Sequence, residues 1–316
     1  MAGTMTIATK EMRDQFGSKR FLILFGFMIL LSGLAAYQGV NYIKDNAEAT
    51  FLYIFSGSQM SFSFIQIMVL FGPILGMALG FDSINKERTT GTLSMLLGQP
   101  IYRDSVINGK FLAGAVSLAT LGIGTVAITV GLAIPMLGYG PTLVEAGKIV
   151  AVMLLTVLYL VFWLSLGTLF SVIAKKTSTS ILASIGVWMF FSIVLGILAN
   201  AVSGIMIPLP AGELTGRGEG KFQLSDEFRD AMLQQTEMTD TIMRLSPTEL
   251  FESSVSDILG VRSGFQRGVQ EFSRTMSLGE ALAANWANIT VLVVGLVICF
   301  AASYMMFLRM EIRPGD

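Results

Sequence analysis

The chain has 316 residues, of which 53% are hydrophobic and 14% charged, with a formal net charge of −1 and a mean hydropathy of +0.67. That balance describes an integral membrane protein and gives no basic surface for nucleic acid. There is no histidine, the commonest metal ligand and general base, and the single cysteine, Cys299, sits in an apolar run, so no Ser/His/Asp or Cys/His nucleophile system can be built.

In chain order, Met5–Lys19 comes first. Ile7, Met12 and Phe16 can share an apolar face opposite Lys10, Arg13 and Lys19, which predicts an interfacial helix along the membrane surface. Six apolar runs follow, at 21–40, 62–81, 109–137, 148–173, 179–204 and 286–308. Each is long enough for a hydrocarbon core that takes about 20 helical residues. Lipid offers no partner for backbone groups, and strand-like alternation is absent, so the expected fold is all-α and polytopic with six transmembrane helices. Gly33 and Ala35 near the end of the first run resemble the small residues of a cleavage site, but the run's length and the five spans after it favour a retained helix. Residues 1–204 thus hold the surface helix and five spans, 205–285 an outer insertion, and 286–316 the sixth span and a tail.

On the second span, Gly72, Gly76 and Gly80 form a G-x-x-x-G-x-x-x-G face with Pro73 beside it, a pattern that permits close helix packing. The partner is either another span or a second copy of the chain. Residues 82–108 then make a polar island carrying Asp82, Lys86, Glu87, Arg88, Arg103 and Asp104, with Lys110 just beyond it. Inside the island lies the short amphipathic stretch Thr92–Leu97. A helix that short is marginal alone in water, which predicts that it is held against a partner protein. Gly91 would let the chain turn into it, Leu93, Leu96 and Leu97 would cluster on one side, and Pro100 would end it.

An acidic residue, then Glu87-Arg88, Gly91-Thr92-Leu93, Leu96-Leu97, Pro100, Arg103 and Gly109-Lys110 opening a new span together resemble permease subunits of the type-2 ABC transporter family, near the branch that includes copper-enzyme-maturation permeases. The resemblance is specific over 82–110 and consistent in span layout elsewhere. It implies that 82–104 contains a coupling helix that docks on a separate ATPase subunit, with ATP and Mg bound there and no cofactor on this chain. It also implies an elbow helix at the N-terminus and a path built from two permease copies. By the resemblance, Asp82, Glu87, Arg88, Gly91, Thr92, Leu93, Leu96, Leu97, Pro100 and Arg103 serve that contact, with Lys175 and Lys176 as a smaller second one.

Orientation follows from the short loops. Lys10, Arg13, Lys19 and Arg20 precede the first span, Lys86, Arg88, Arg103 and Lys110 follow the second, Lys175 and Lys176 the fourth, and Arg309 and Arg313 the sixth. The opposite short loops hold only Lys44 and Lys148. The positive-inside rule places both termini and the 82–108 island in the cytoplasm. The outer segment leans acidic and reads as a helical insertion. Ser225 with Asp226 and Glu227, then Ser246-Pro247-Thr248-Glu249 and Ser277 with Glu280, carry helix-start signals, as does Thr142 with Glu145 before the fourth span.

What is missing narrows function further. No G-x-x-x-x-G-K-[ST] occurs, so the chain has no P-loop for ATP. The 19 methionines are dispersed over the spans, which suits packing better than a metal path. No ionisable residue lies inside a span away from its ends, which disfavours a proton- or sodium-coupled carrier. The expectation is therefore a permease subunit powered by a partner ATPase, more in keeping with export than import. The alternative is a membrane anchor or assembly factor that binds a partner through 205–285.

Overall fold

The computed structural model describes residues 2–46, 49–56, 63–91, 102–209, 226–260 and 277–310. Thr92, Leu93, Leu96, Leu97 and Pro100 lie outside them, as does Ser225. Among the described residues every regular element is helical and six helical segments are long and apolar enough to cross a membrane. The protein is an all-α polytopic membrane protein.

The chain divides into two compact units, one of residues 1–185 with 251–316 and one of 186–250. The first begins with α1 (Ala2–Phe16), broken from α2 (Lys19–Asp45) at Gly17-Ser18, where the Ser18 hydroxyl accepts the Phe21 amide as N-cap. A 3-10 turn at Phe51–Phe55 leads to α3 (Phe64–Gly80) and the short α4 (Asn85–Thr89). The start of α3 is set by a reciprocal capping box between Ser63 and Gln66.

Next come α5 (Arg103–Leu137) and α6 (Leu143–Ile173), the latter opened by the Thr142–Glu145 capping box. The third apolar run was expected from 109, but its helix starts at Arg103. Asp104 suits the positive end of the helix dipole, and Ser105, Val106 and Ile107 are buried, so this turn is packed helix rather than loop. After α7 (Thr177–Met189) the first unit resumes within α10 (Pro247–Leu259) and continues through α11 (Leu278–Ala284) and α12 (Trp286–Arg309).

The centre of this unit is the α3–α6 seam, which resolves the partner of the glycine face. A Cβ on Gly76 would stand 2.6 Å from the Leu160 carbonyl oxygen and from the Trp163 Cβ; on Gly80 it would stand 2.7 Å from the Leu164 carbonyl oxygen. On the facing glycine, Gly167, a Cβ would stand 3.1 Å from the Met77 Cα and 3.3 Å from the Gly80 Cα. Backbones this close gain dispersion contacts that replace the hydrophobic drive absent in lipid. Pro73 removes the amide that would bond the carbonyl of Val69, and the Tyr159 hydroxyl donates to that carbonyl at 3.2 Å. Tyr159 is itself fixed by stacking on Phe251 at 4.3 Å between ring centroids.

The second unit runs from the end of α7 through a π-turn at Phe190–Val194, α8 (Leu195–Met206) and α9 (Asp226–Met243). α8 and α9 pack side by side, with the Ser203 and Thr239 hydroxyls 2.7 Å apart. The Ser246 hydroxyl donates to the Phe191 carbonyl at 3.0 Å, so the Leu-Ser-Pro element before α10 is tied to the π-turn.

Candidate functional site

The polar island is anchored at its root. Ile84 and Asn85 both donate their amides to the Ser171 hydroxyl at 3.0 Å, and the Asn85 side-chain amide donates to the Ala174 carbonyl at 2.8 Å. The Ser180 hydroxyl donates to the Phe81 carbonyl at 2.8 Å. These bonds pin residues 81–85 to the end of α6 and the start of α7. The Ile84, Asn85 and Ala174 groups are buried, so each of their bonds also avoids leaving an amide or carbonyl unsatisfied.

Charge adds a second set of tethers. Arg20 at the start of α2 grips Asp82 with both guanidinium nitrogens, at 2.9 and 3.4 Å, and lies over the Phe81 ring. Lys110, only 7% exposed, bridges two carboxylates: Glu87 Oε1 at 2.7 Å and Glu11 Oε1 at 3.1 Å. Glu11 also meets Lys10, which reaches Asp14 as well. Burial opposes the Lys10 charge, yet hydrogen bonds and attraction from Glu11 and Asp14 outweigh it and raise its pKa.

Beneath the charges lies an apolar cluster of Ile7, Ile84, Val106, Ile107, Val172 and Phe307, drawn from α1, the α3–α4 turn, α5, α6 and α12. The surface helix α1 also packs on α5: a Cβ on Gly109 would come within 2.8 Å of Ile7, and the Ser117 hydroxyl donates to Gln15 at 2.7 Å. Ile7, Glu11 and Gln15 recur every four residues, so one stripe of α1 carries an apolar contact, an ion pair and a hydrogen bond to the same neighbour.

The sequence-predicted residues therefore separate. Asp82 and Glu87 face inward to Arg20 and Lys110. Arg103 reaches across to the Met310 carbonyl at 3.0 Å. Arg88 is half-buried, while Lys175 and Lys176 are exposed. Gly91 has φ of 73° just past α4, a left-handed residue that turns the chain out of the helix. Sequence reasoning missed Glu11, Arg20, Asn85, Lys110 and Ser171 as anchors. The signal for Lys110 was its position, a lysine one residue inside an apolar run, where an unpaired charge would be costly.

A family model described as ABC-2 family transporter protein matches residues 5–312. The chain belongs to that family. It is also 28% identical over 215 residues to the Probable ABC transporter permease protein NosY of Pseudomonas aeruginosa, an alignment covering 67% of this chain and 74% of the relative. As a family member the chain is a transmembrane permease subunit of an ABC transporter, embedded in the membrane by several passes.

Proposed function

We propose that this subunit works as an exporter half, that residues 82–104 seat on a separate ABC ATPase, and that the root of that segment passes the ATPase's motion to the spans. The observation that supports this reading most is the density of anchoring at 81–87. Hydrogen bonds and ion pairs from α2, α5, α6 and α7 converge on seven residues, far more than an ordinary connecting loop needs. Glu87 and Asp82 orient the segment from below, and Leu93, Leu96 and Leu97 supply its docking face, with Arg88, Gly91, Thr92, Pro100 and Arg103 shaping it. Lys175 and Lys176, exposed beside the anchor, form the smaller second contact. ATP and Mg sit on the partner. Two permease copies enclose the path, with the exposed apolar faces of α2 and α12 left for lipid or the second copy. Both termini lie in the cytoplasm, on the positively charged side.

The deciding experiment is pull-down of the co-expressed ATPase. Replacing Leu96 and Leu97 together by Asp removes two apolar side chains worth about 1.5–3 kcal/mol each when buried. ATPase association is expected to be lost while membrane insertion and melting of the permease are unchanged. Retained association would reduce 82–104 to an ordinary loop. Orientation is checked separately with an impermeant thiol reagent on intact cells. A cysteine replacing exposed Ser178 stays protected, and one replacing exposed Gln234 is labelled.

A further inference from the structure

Lys110 is an expensive choice for its place. A buried ammonium must be stripped of water, and an apolar side chain of similar length would pack there at least as well. Nor is the apolar cluster below it short of contacts, since Ile84, Val106 and Ile107 are fully buried without any help from charge. What apolar contacts lack is direction. They permit neighbouring helices to slide, whereas an ammonium held between two carboxylates fixes register. The two carboxylates come from the two elements flanking α5: Glu11 on α1 and Glu87 on α4. Gly109, next to Lys110, lets α1 approach until Ile7 and the Thr4 carbonyl occupy the space of a side chain. Contact and charge thus lock the same turn of α5 to α1.

We infer that α1 is part of the moving element. Lys110 is a positioning residue that fastens α1, through Glu11, to the root of the 82–91 segment, through Glu87, so that the three travel as one body when the ATPase closes. The inference rests on the coupling role proposed above. It gives the N-terminal helix a mechanical role, since α1 widens the lever on which the docking segment sits and keeps it level with the membrane surface.

The test uses the full chain with its ATPase in lipid vesicles, in a Cys299→Ser background. A Cβ built on Gly3 stands 3.8 Å from the Ser105 Cβ, within the range of disulfide geometry, so Gly3→Cys with Ser105→Cys can bolt α1 to α5. Closing that disulfide is expected to leave ATP turnover of the otherwise unaltered complex within about twofold, because one body cannot be hindered by an internal bolt. Lys110→Met is expected to assemble with the ATPase but lose roughly tenfold in turnover, equivalent to about 1.4 kcal/mol, and the disulfide should restore the share lost through α1 but not the share lost by unfastening Glu87. The triple change Glu11→Gln, Glu87→Gln and Lys110→Met, which leaves no unpaired charge, is expected to behave like Lys110→Met and covers the case in which the single variant fails to fold. Spin labels on Met5→Cys and Lys86→Cys supply a direct readout: one narrow distance, the same with and without ATP, that broadens when Lys110 is lost. A label distance that changes with ATP in the unaltered triad, a disulfide that stops turnover, or a neutral triad with full turnover would each overturn the inference. Failure of the unaltered chain to bind its ATPase would instead overturn the functional reading on which it rests.

Discussion

The α3–α6 seam and the anchor at the root of the 82–91 segment hold the same span at two heights by opposite means. The seam is built from absence: glycines let backbones touch, and 61% of the apolar stretch of each of these spans is buried in the protein, against 17% for α12. The anchor is built from presence, with long charged side chains reaching 2.7–3.1 Å contacts across four helices, α1, α2, α4 and α5. Backbone contact has no alternative arrangement of similar energy. The Arg20–Asp82 pair, at the edge of water, can exchange partners, whereas Lys110 is buried between its two carboxylates and cannot. The difference argues that the span is a rigid shaft whose adjustable contact is the Arg20–Asp82 pair at its anchored end.

The largest effect should come from breaking the shaft. Gly76→Leu places a side chain where the Leu160 carbonyl and Trp163 Cβ already stand at 2.6 Å from a Cβ. Helices forced apart lose the whole seam, so the cost should exceed the about 1–3 kcal/mol of ordinary overpacking. Monodisperse protein is expected to disappear in detergent size-exclusion, and survival of a folded chain with native melting would show the seam to be more compliant than its geometry. A smaller effect belongs to Tyr159→Phe. It preserves the stack on Phe251 and removes only the hydroxyl on Val69, so the exposed cost is that of one unsatisfied carbonyl, about 1–3 kcal/mol. Thermal melting should fall by a few degrees with assembly intact.

At the anchored end the comparison predicts weaker, salt-dependent effects. Arg20 is 46% exposed on its side chain, so water screens its pair with Asp82. A double-mutant cycle of Arg20→Gln and Asp82→Asn should give a coupling of about 0.2–1 kcal/mol that shrinks in high salt. A larger, salt-insensitive coupling would move this pair into the same class as the seam.

These contrasts also explain what could be read from sequence. The six spans were legible because lipid imposes one rule on every residue of a span, and the glycine face was legible as a pattern, though not its partner. The partner lay in Tyr159, Trp163 and Gly167, whose role depends on the register of two helices distant in sequence. The anchor was half legible. Asp82 and Glu87 stood out as charges in a short island, but an acidic side chain looks the same whether it faces an ATPase or a buried lysine. Glu11 and Gln15 carried no signal in the surface helix, because nothing local says that α5 covers that face. The π-turn at Phe190–Val194 had no local signal at all, and the group that bonds it, the Ser246 hydroxyl on the Phe191 carbonyl, comes from beyond α9.

The smallest predicted effect isolates a purely local device, the capping box that opens α11. The Ser277 amide donates to the Glu280 carboxylate at 2.9 Å, and the Glu280 amide donates to the Ser277 hydroxyl at 3.3 Å. Those bonds from Ser277 hold the Glu280 carboxyl below its ordinary value, although the group is fully exposed. A carboxylate with a lowered folded-state pKa contributes stability that is complete above the unfolded value of about 4.3 and is lost as pH falls through the lower folded value. Amide exchange at the first turn of α11 should therefore be slow near neutral pH and quicken only in that acid window. Glu280→Gln keeps an acceptor for the Ser277 amide but cannot ionise, so it should flatten the pH dependence while leaving exchange in the α3–α6 seam untouched. If exchange at Gly76 and Gly80 tracked the titration of Glu280, the cap and the seam would be one cooperative structure, and the rigid shaft would extend to the far end of the molecule.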